Sequence, residues 1–200
     1  MTMPHQQHTL GRTAGHDPRL AAASELNAGT LRKAFGHFPS GVTAVCGLVG
    51  GSPLGMAVSS FTSVSLEPPM VAVCLKLSSK TWARLRELPW LGLSVLGADQ
   101  GPLCRDLAGP EQDRFTGCPW EAGEHGAVFL HGAVTWYSCI LREEVAAGDH
   151  SIALLEVDRL WTQPSAEPLV FHGSRFRRLE NHELTIAAAT SPEPRVAAAG

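Results

Sequence analysis

Residues 78–81, Ser-Ser-Lys-Thr, stand where an apolar run ends and a helical pattern begins. A helix start leaves backbone N–H groups unpaired and carries partial positive charge, so it favours an anion. Ser78, Ser79 and Thr81 add hydroxyl donors and Lys80 adds charge, a set that suits a phosphate. It is not a Walker loop, because GxxxxGK[ST] is absent, and the same four residues also read as an ordinary serine N-cap with a solvated lysine. Upstream, residues 55–66 (GMAVSSFTSVSL) place small and hydroxyl side chains between Val58, Phe61 and Val64. Such a strand lets its backbone approach a flat ligand closely. A third polar element is Gly148-Asp149-His150. It reads as a turn between two strands, with His150 either facing solvent or facing a ligand. Arg175 and Phe176 set a cation beside an aromatic ring, as a ligand contact or as a strand with an exposed arginine.

The elements that must position these groups are mostly strands. Period-2 patterns and apolar runs predict strands at 41–49, 54–66 (one strand, plain or bulged), 70–75, 91–96, 127–130, 133–146, 151–161, 169–172 and 175–179. A turn at 50–53 separates the first two, and Glu67-Pro68-Pro69 ends the second, since proline cannot continue a ladder. Helical spacing appears at 30–38, with Thr30 as cap, and at 82–88 and 100–108; residues 109–124 look irregular. Many strands with two or three helices predict a mostly β fold, an antiparallel barrel. No GxGxxG follows the first strand, which excludes a Rossmann domain. The 200 residues fit one domain at 24–182, flanked by disordered tails at 1–23 and 183–200.

A net charge of −3 argues against a nucleic-acid footprint, although Arg175, Arg177 and Arg178 cluster. No apolar run is long enough to span a bilayer, and the polar N-terminus lacks a signal-peptide core, so a cytoplasmic protein is expected. The five cysteines, at 46, 74, 104, 118 and 139, form no CxxC or zinc spacing. Cys46, Cys74 and Cys139 read as small core residues, and reduced thiols are expected throughout. His5 and His8 alone do not close a metal site, and no metal is expected. The acidic residues Asp99, Asp106, Glu111 and Asp113 form no carboxylate pair, and no GxSxG marks a hydrolase. Trp90, Trp136 and Trp161 read as barrel or interface fillers.

An ordered set of motifs goes further: 38–42 (FPSGV), 55–56 through 59–66 (SSFTSVSL), Pro68-Pro69, Ser79-Lys80-Thr81 and Gly148-Asp149-His150. Together they resemble the short-chain flavin reductases that serve two-component flavin-dependent monooxygenases, over roughly residues 31–178. The resemblance implies a flavin-binding split β-barrel of Greek-key type, a homodimer, that binds FAD or FMN and reduces it with NADH or NADPH, with FAD and NADH favoured. It implies that Met56, Ala57, Val58, Ser59 and Ser60 lie along the isoalloxazine edge, bordered by Val73, Cys74 and Leu75. Ser78, Ser79, Lys80 and Thr81 would hold the flavin phosphate, and Arg114 and Phe115 the ribityl or adenine side. His150, the one catalytic assignment, would orient the nicotinamide and abstract no proton; Ser40, Gly41, Arg175 and Phe176 would complete the nicotinamide site. Two departures stand out. Relatives often carry Thr at Ala57 and Tyr at Phe176, so one hydroxyl contact and one phenolic donor are missing. Reduced flavin would diffuse to a partner monooxygenase. The competing readings are a split-barrel flavin or haem binder without turnover, and a reductase that retains its flavin and acts on an organic substrate.

Overall fold

The β-rich pattern folds as a curled antiparallel sheet. The computed structural model describes residues 25–180, so the expected tails at 1–23 and 183–200, with His5 and His8, lie outside the described residues. In chain order the elements are α1 (Ala28–Phe35), β1 (Ser40–Gly41), β2 (Thr43–Val49), β3 (Ser52–Val58), β4 (Thr62–Leu66), β5 (Pro69–Lys76) and α2 (Lys80–Leu85). Then follow β6 (Leu91–Val95), α3 (Gly101–Ala108), β7 (Trp120–Ala122), β8 (Val128–Leu130), β9 (Thr135–Ala147), β10 (His150–Thr162), β11 (Val170–His172) and β12 (Arg175–Arg177). Single 3-10 turns occupy Glu111–Asp113 and Glu124–Gly126.

Seven strands form the main sheet in the order β3-β2-β6-β9-β10-β5-β4. A three-stranded sheet, β1-β11-β12, and the β7–β8 ribbon complete the fold. The main sheet curls until β3 nears β5 on its open side. Its interior holds Val45, Leu54, Val73, Leu75, Leu91, Leu93 and Leu155, closed at one end by Trp82 and Leu85 of α2. A second apolar layer, with Val42, Ala44, Cys46, Leu96, Leu107, Val128, Leu130 and Leu169, lies outside the curl beneath α3 and β8. Residues 43–47 of β2 are therefore buried on both faces, which is why that stretch reads as a continuous apolar run rather than an alternating one.

Three expected boundaries move, each for a local reason. Asn27, not Thr30, caps α1: its side-chain oxygen accepts from the N–H groups of Gly29 and Thr30, both at 3.0 Å. The turn before β3 is Gly50-Gly51 alone, with φ of 61° and 82° that suit a two-residue hairpin loop; Pro53 sits within edge strand β3, where no ladder donor is needed. The single strand expected over 54–66 is two strands on opposite edges of the sheet. Between them, Ser60 Oγ accepts from the N–H of Cys74 at 2.8 Å and donates to its carbonyl at 3.1 Å. One hydroxyl thus takes both backbone groups of a β5 residue, ends β3 and carries the chain across the open seam. No helix of the described residues is long and apolar enough to cross a membrane.

Candidate functional site

The expected ligand residues gather in two lobes on either side of β3. Alternation along this strand sends Met56 toward the barrel interior and Ala57 toward the outer layer. Met56 meets the first lobe, because Ser79 Oγ lies 3.8 Å from its sulfur. Ser79 also caps α2, accepting from the N–H of Trp82 at 3.1 Å, so the capping expectation holds. Ser78 and Lys80 are exposed, and Lys80 has no carboxylate partner among the described residues. Thr81 turns inward: it is 6% exposed, and its hydroxyl accepts from Arg114 Nη1 at 2.8 Å.

Arg114 is itself engaged on three sides. Nη1 also donates to the Gly55 carbonyl at 2.9 Å, and Nε donates to the Gly109 carbonyl at 3.0 Å. The guanidinium braces β3, α2 and the loop after α3 from behind. Phe115 packs on the same side, against the outer apolar layer. A Cβ on Gly55 would come within 3.0 Å of the Phe115 ring, so glycine here permits the close fit. In β5, Val73 and Leu75 point into the barrel while Cys74 faces out, so a ligand on the outer side would meet Cys74 and backbone.

His150 belongs to this first lobe. It opens β10 and lies opposite Lys76 in the β5 register. The turn before it is tied to the β5–α2 junction, since the Leu77 N–H donates to the Asp149 carbonyl at 3.1 Å. His150 Nδ1 lies 2.7 Å from Asp149 Oδ1. A carboxylate only accepts, so Nδ1 carries a proton and Nε2 remains for another partner. The hydrogen bond and charge of His150 hold the exposed Asp149 carboxyl below its ordinary range.

The second lobe is a cleft of about 290 Å³ lined by Ala57, Val58 and Ser59, by Cys104, Arg105 and Ala108 of α3, and by Val42, Phe171 and Phe176. The three-stranded sheet builds its wall. Ser40 pairs with Phe171, Phe171 with Phe176, and His172 with Arg175. The rings of Phe171 and Phe176 are 5.7 Å apart, and the Arg105 guanidinium carbon lies 5.2 Å from the Phe176 centroid. Ser40, Gly41, Arg175 and Phe176 thus share one small sheet, whereas His150 stands on the other sheet in the first lobe.

Sequence reasoning missed three residues here. Phe171 and Arg105 had no motif around them; their role follows only from the packing of α3 against β11 and β12. Glu144 sat in a charged run, Arg142-Glu143-Glu144, that looks like a solvated strand face, yet its side chain is only 15% exposed. A second cleft, about 430 Å³, lies among Trp90, His125, Phe129, Trp136 and Trp161 and gathers none of the expected residues. Roughly 35 Å of strand separate it from the His150 turn. For that reason the two lobes, not the aromatic cleft, form the candidate site.

Known proteins resemble this chain in sequence and in fold. Residues 35–180 match the family model described as a flavin reductase like domain. The chain is 43% identical over 154 residues to an NADH-dependent FAD reductase of Streptomyces globisporus, covering 74% of this chain and 84% of that protein. It is 30% identical over 159 residues to the reductase subunit of a flavin-dependent monooxygenase of Rhodococcus jostii, covering 80% and 82%. Among solved structures, the Streptomyces globisporus NADH:FAD oxidoreductase in complex with NAD and FAD fragments superposes with a TM-score of 0.73 at 40% identity, covering 77% of this chain and 93% of that one.

Proposed function

The chain belongs to the flavin reductase-like family, and from that premise we propose that it is an NADH-dependent flavin reductase, acting on FAD, that supplies reduced flavin to a partner monooxygenase. The observation that carries the reading is the meeting, at β3, of an exposed Ser78–Lys80 turn with an aromatic-walled cleft. Hydride passes from nicotinamide C4 to flavin N5, and this chemistry resides in the two bound molecules. The protein's task is to hold both rings face to face at about 3–3.5 Å.

The residues fit that task. Ser78, Ser79 and Lys80 offer a cation without a carboxylate partner among the described residues, an exposed hydroxyl and a helix start to the flavin phosphate. Residues 56–60, together with Cys74, offer small side chains and backbone to the ring. Thr81, Arg114 and Phe115 brace this surface from inside. His150 presents Nε2 to the nicotinamide side, while Ser40, Gly41, Arg175 and Phe176 receive the rest of the pyridine nucleotide. Free cysteines throughout are consistent with a cytoplasmic, reducing location.

The working form is a homodimer. Cys74, Ile152 and Val145 are in register across the outer face of β5, β10 and β9. Val64 is 49% and Leu66 89% exposed on the neighbouring edge strand β4. An exposed apolar edge invites pairing unless a second subunit covers it. Light scattering after size exclusion will give twice the chain mass; a monomer would refute this part.

Enzyme activity is tested by following NADH oxidation with free FAD or FMN in large molar excess over protein. Many turnovers are expected, faster with FAD. No oxidation with either flavin, using NADH or NADPH, would leave a flavin or haem binder.

A further inference from the structure

We propose that Glu144 is a positioning residue that holds the flavin-phosphate turn and the His150 turn at a fixed separation. Its carboxylate lies between the two. Oε1 accepts from Trp82 Nε1 at 2.8 Å and from Ser151 Oγ at 2.5 Å, and Oε2 pairs with Arg86 Nη1 at 2.9 Å. Trp82 is the residue whose N–H is capped by Ser79, and Ser151 follows His150 directly. A continuous path therefore runs from Ser79 through Trp82, Glu144 and Ser151 to His150.

The backbone is arranged to aim this carboxylate. In the β9–β10 pairing, Leu155 faces Leu141 but Leu154 faces Glu143, which leaves Arg142 as an extra residue. Strict alternation from the inward Leu141 would send Glu143 inward and Glu144 to solvent. The bulge shifts the phase by one residue, so that Glu144 pairs with buried Ala153 and reaches the barrel end beneath α2. Bulges commonly re-aim a side chain beside a functional site. Burial alone would raise the Glu144 pKa, but the bonds from Ser151 and Trp82 and the charge of Arg86 bring it below its ordinary value, so the carboxylate is charged at neutral pH.

This proposal rests on the flavin reductase reading, and the wild-type assay separates the two. Absence of wild-type turnover removes the reading and the proposal with it. With wild-type turnover in hand, steady-state kinetics of Glu144→Ala, Glu144→Gln and Ser151→Ala are compared, with circular dichroism to verify folding. Glu144→Ala should raise the flavin KM by about tenfold, the order of effect expected when a supporting group lets a binding group shift. Its kcat at saturating flavin should stay within about twofold of wild type, because hydride transfer does not involve Glu144. Glu144→Gln keeps the acceptor for Trp82 and Ser151 and should return the flavin KM to within about threefold of wild type. If Glu144→Ala does not fold, Ser151→Ala decides, and it is expected to raise the flavin KM by about threefold. A folded variant set with lowered melting temperatures but flavin and NADH KM values within twofold of wild type would overturn the proposal and leave Glu144 a purely structural residue.

Discussion

Two bulges close to one another divide the β9–β10 hairpin, and the stretches on either side of them are built from opposite materials. Near the turn, the extra residue is Arg142, and the inward groups include Glu144 and Ser151, which are hydrogen bonded to each other. At the far end the extra residue is Asp158, and the neighbours are rings. Trp136 meets Trp161 in a tilted contact at 4.6 Å and stacks on Phe129 at 5.4 Å, and its Nε1 donates to the Leu130 carbonyl at 2.8 Å. That aromatic group clasps the β7–β8 ribbon onto the barrel. Dispersion and burial are tolerant of small shifts; a hydrogen-bonded charge is not. The hairpin therefore places tolerance at the aromatic end and geometric exactness at the end where the proposed ligand site lies.

The largest effect that separates the ends is expected at the aromatic one. Trp136→Ala removes a half-buried indole and should lower stability by about 3 kcal/mol, seen in urea unfolding. At temperatures where it is folded, its KM values should match wild type; a change in either would mean that the far end also aligns ligands. His150→Ala addresses the other end. It should leave stability and flavin affinity nearly unchanged while raising the NADH KM about tenfold, as removal of one ligand-orienting hydrogen bond would. An unchanged NADH KM would take the nicotinamide away from this turn.

Acid sharpens the contrast further, by a smaller amount. The folded pKa of Glu144 lies below its ordinary value of 4.5, so the native state holds fewer protons than the unfolded chain. The stability it contributes is present above that ordinary value and is lost as pH falls through the folded one. The groups facing it are Arg86, Trp82 and Ser151, and only Arg86 is charged. Below about pH 4.5, the urea midpoint of wild type should drop more steeply than that of Glu144→Gln. Parallel curves would show that the carboxylate contributes no net charge stabilisation. The aromatic end has no equivalent in its indole stack, and Trp136→Ala should keep the wild-type slope.

The same contrast explains what could be read from the chain. Strand content, the Gly148-Asp149 turn, the Ser79 cap and the end of β4 at Glu67-Pro68 follow from local pattern, and the motif set pointed to the barrel. The split of residues 54–66 was hidden because Ser60 ends β3 through a bond to Cys74, fourteen residues away. Thr81 was expected at the phosphate for its hydroxyl, and Arg114 at the ribityl or adenine side by resemblance alone; that Arg114 donates to the Thr81 hydroxyl could be seen only in the packing. Glu144 was invisible for a related reason. A bulge changes the phase of alternation, and no residue type near Arg142 announces one.

The cleft wall at Phe176 tests which end's behaviour an aromatic residue follows when it faces a ligand site. Phe176 packs on Phe171 and beneath Arg105 at the edge of β12, and a Cβ on Gly101 would stand 3.1 Å from its ring. Phe176→Leu keeps apolar volume but loses the flat face and the cation contact, each worth on the order of 1 kcal/mol. If the ring only fills space, the variant should melt lower with both KM values unchanged, like Trp136→Ala. If it receives the pyridine nucleotide, the NADH KM should rise about threefold with the flavin KM unmoved, since 0.7 kcal/mol corresponds to roughly that ratio. Phe176→Tyr should retain the wild-type value, because the stacking face survives. A rise in the flavin KM alone would put flavin, not the pyridine nucleotide, against the Phe176 wall.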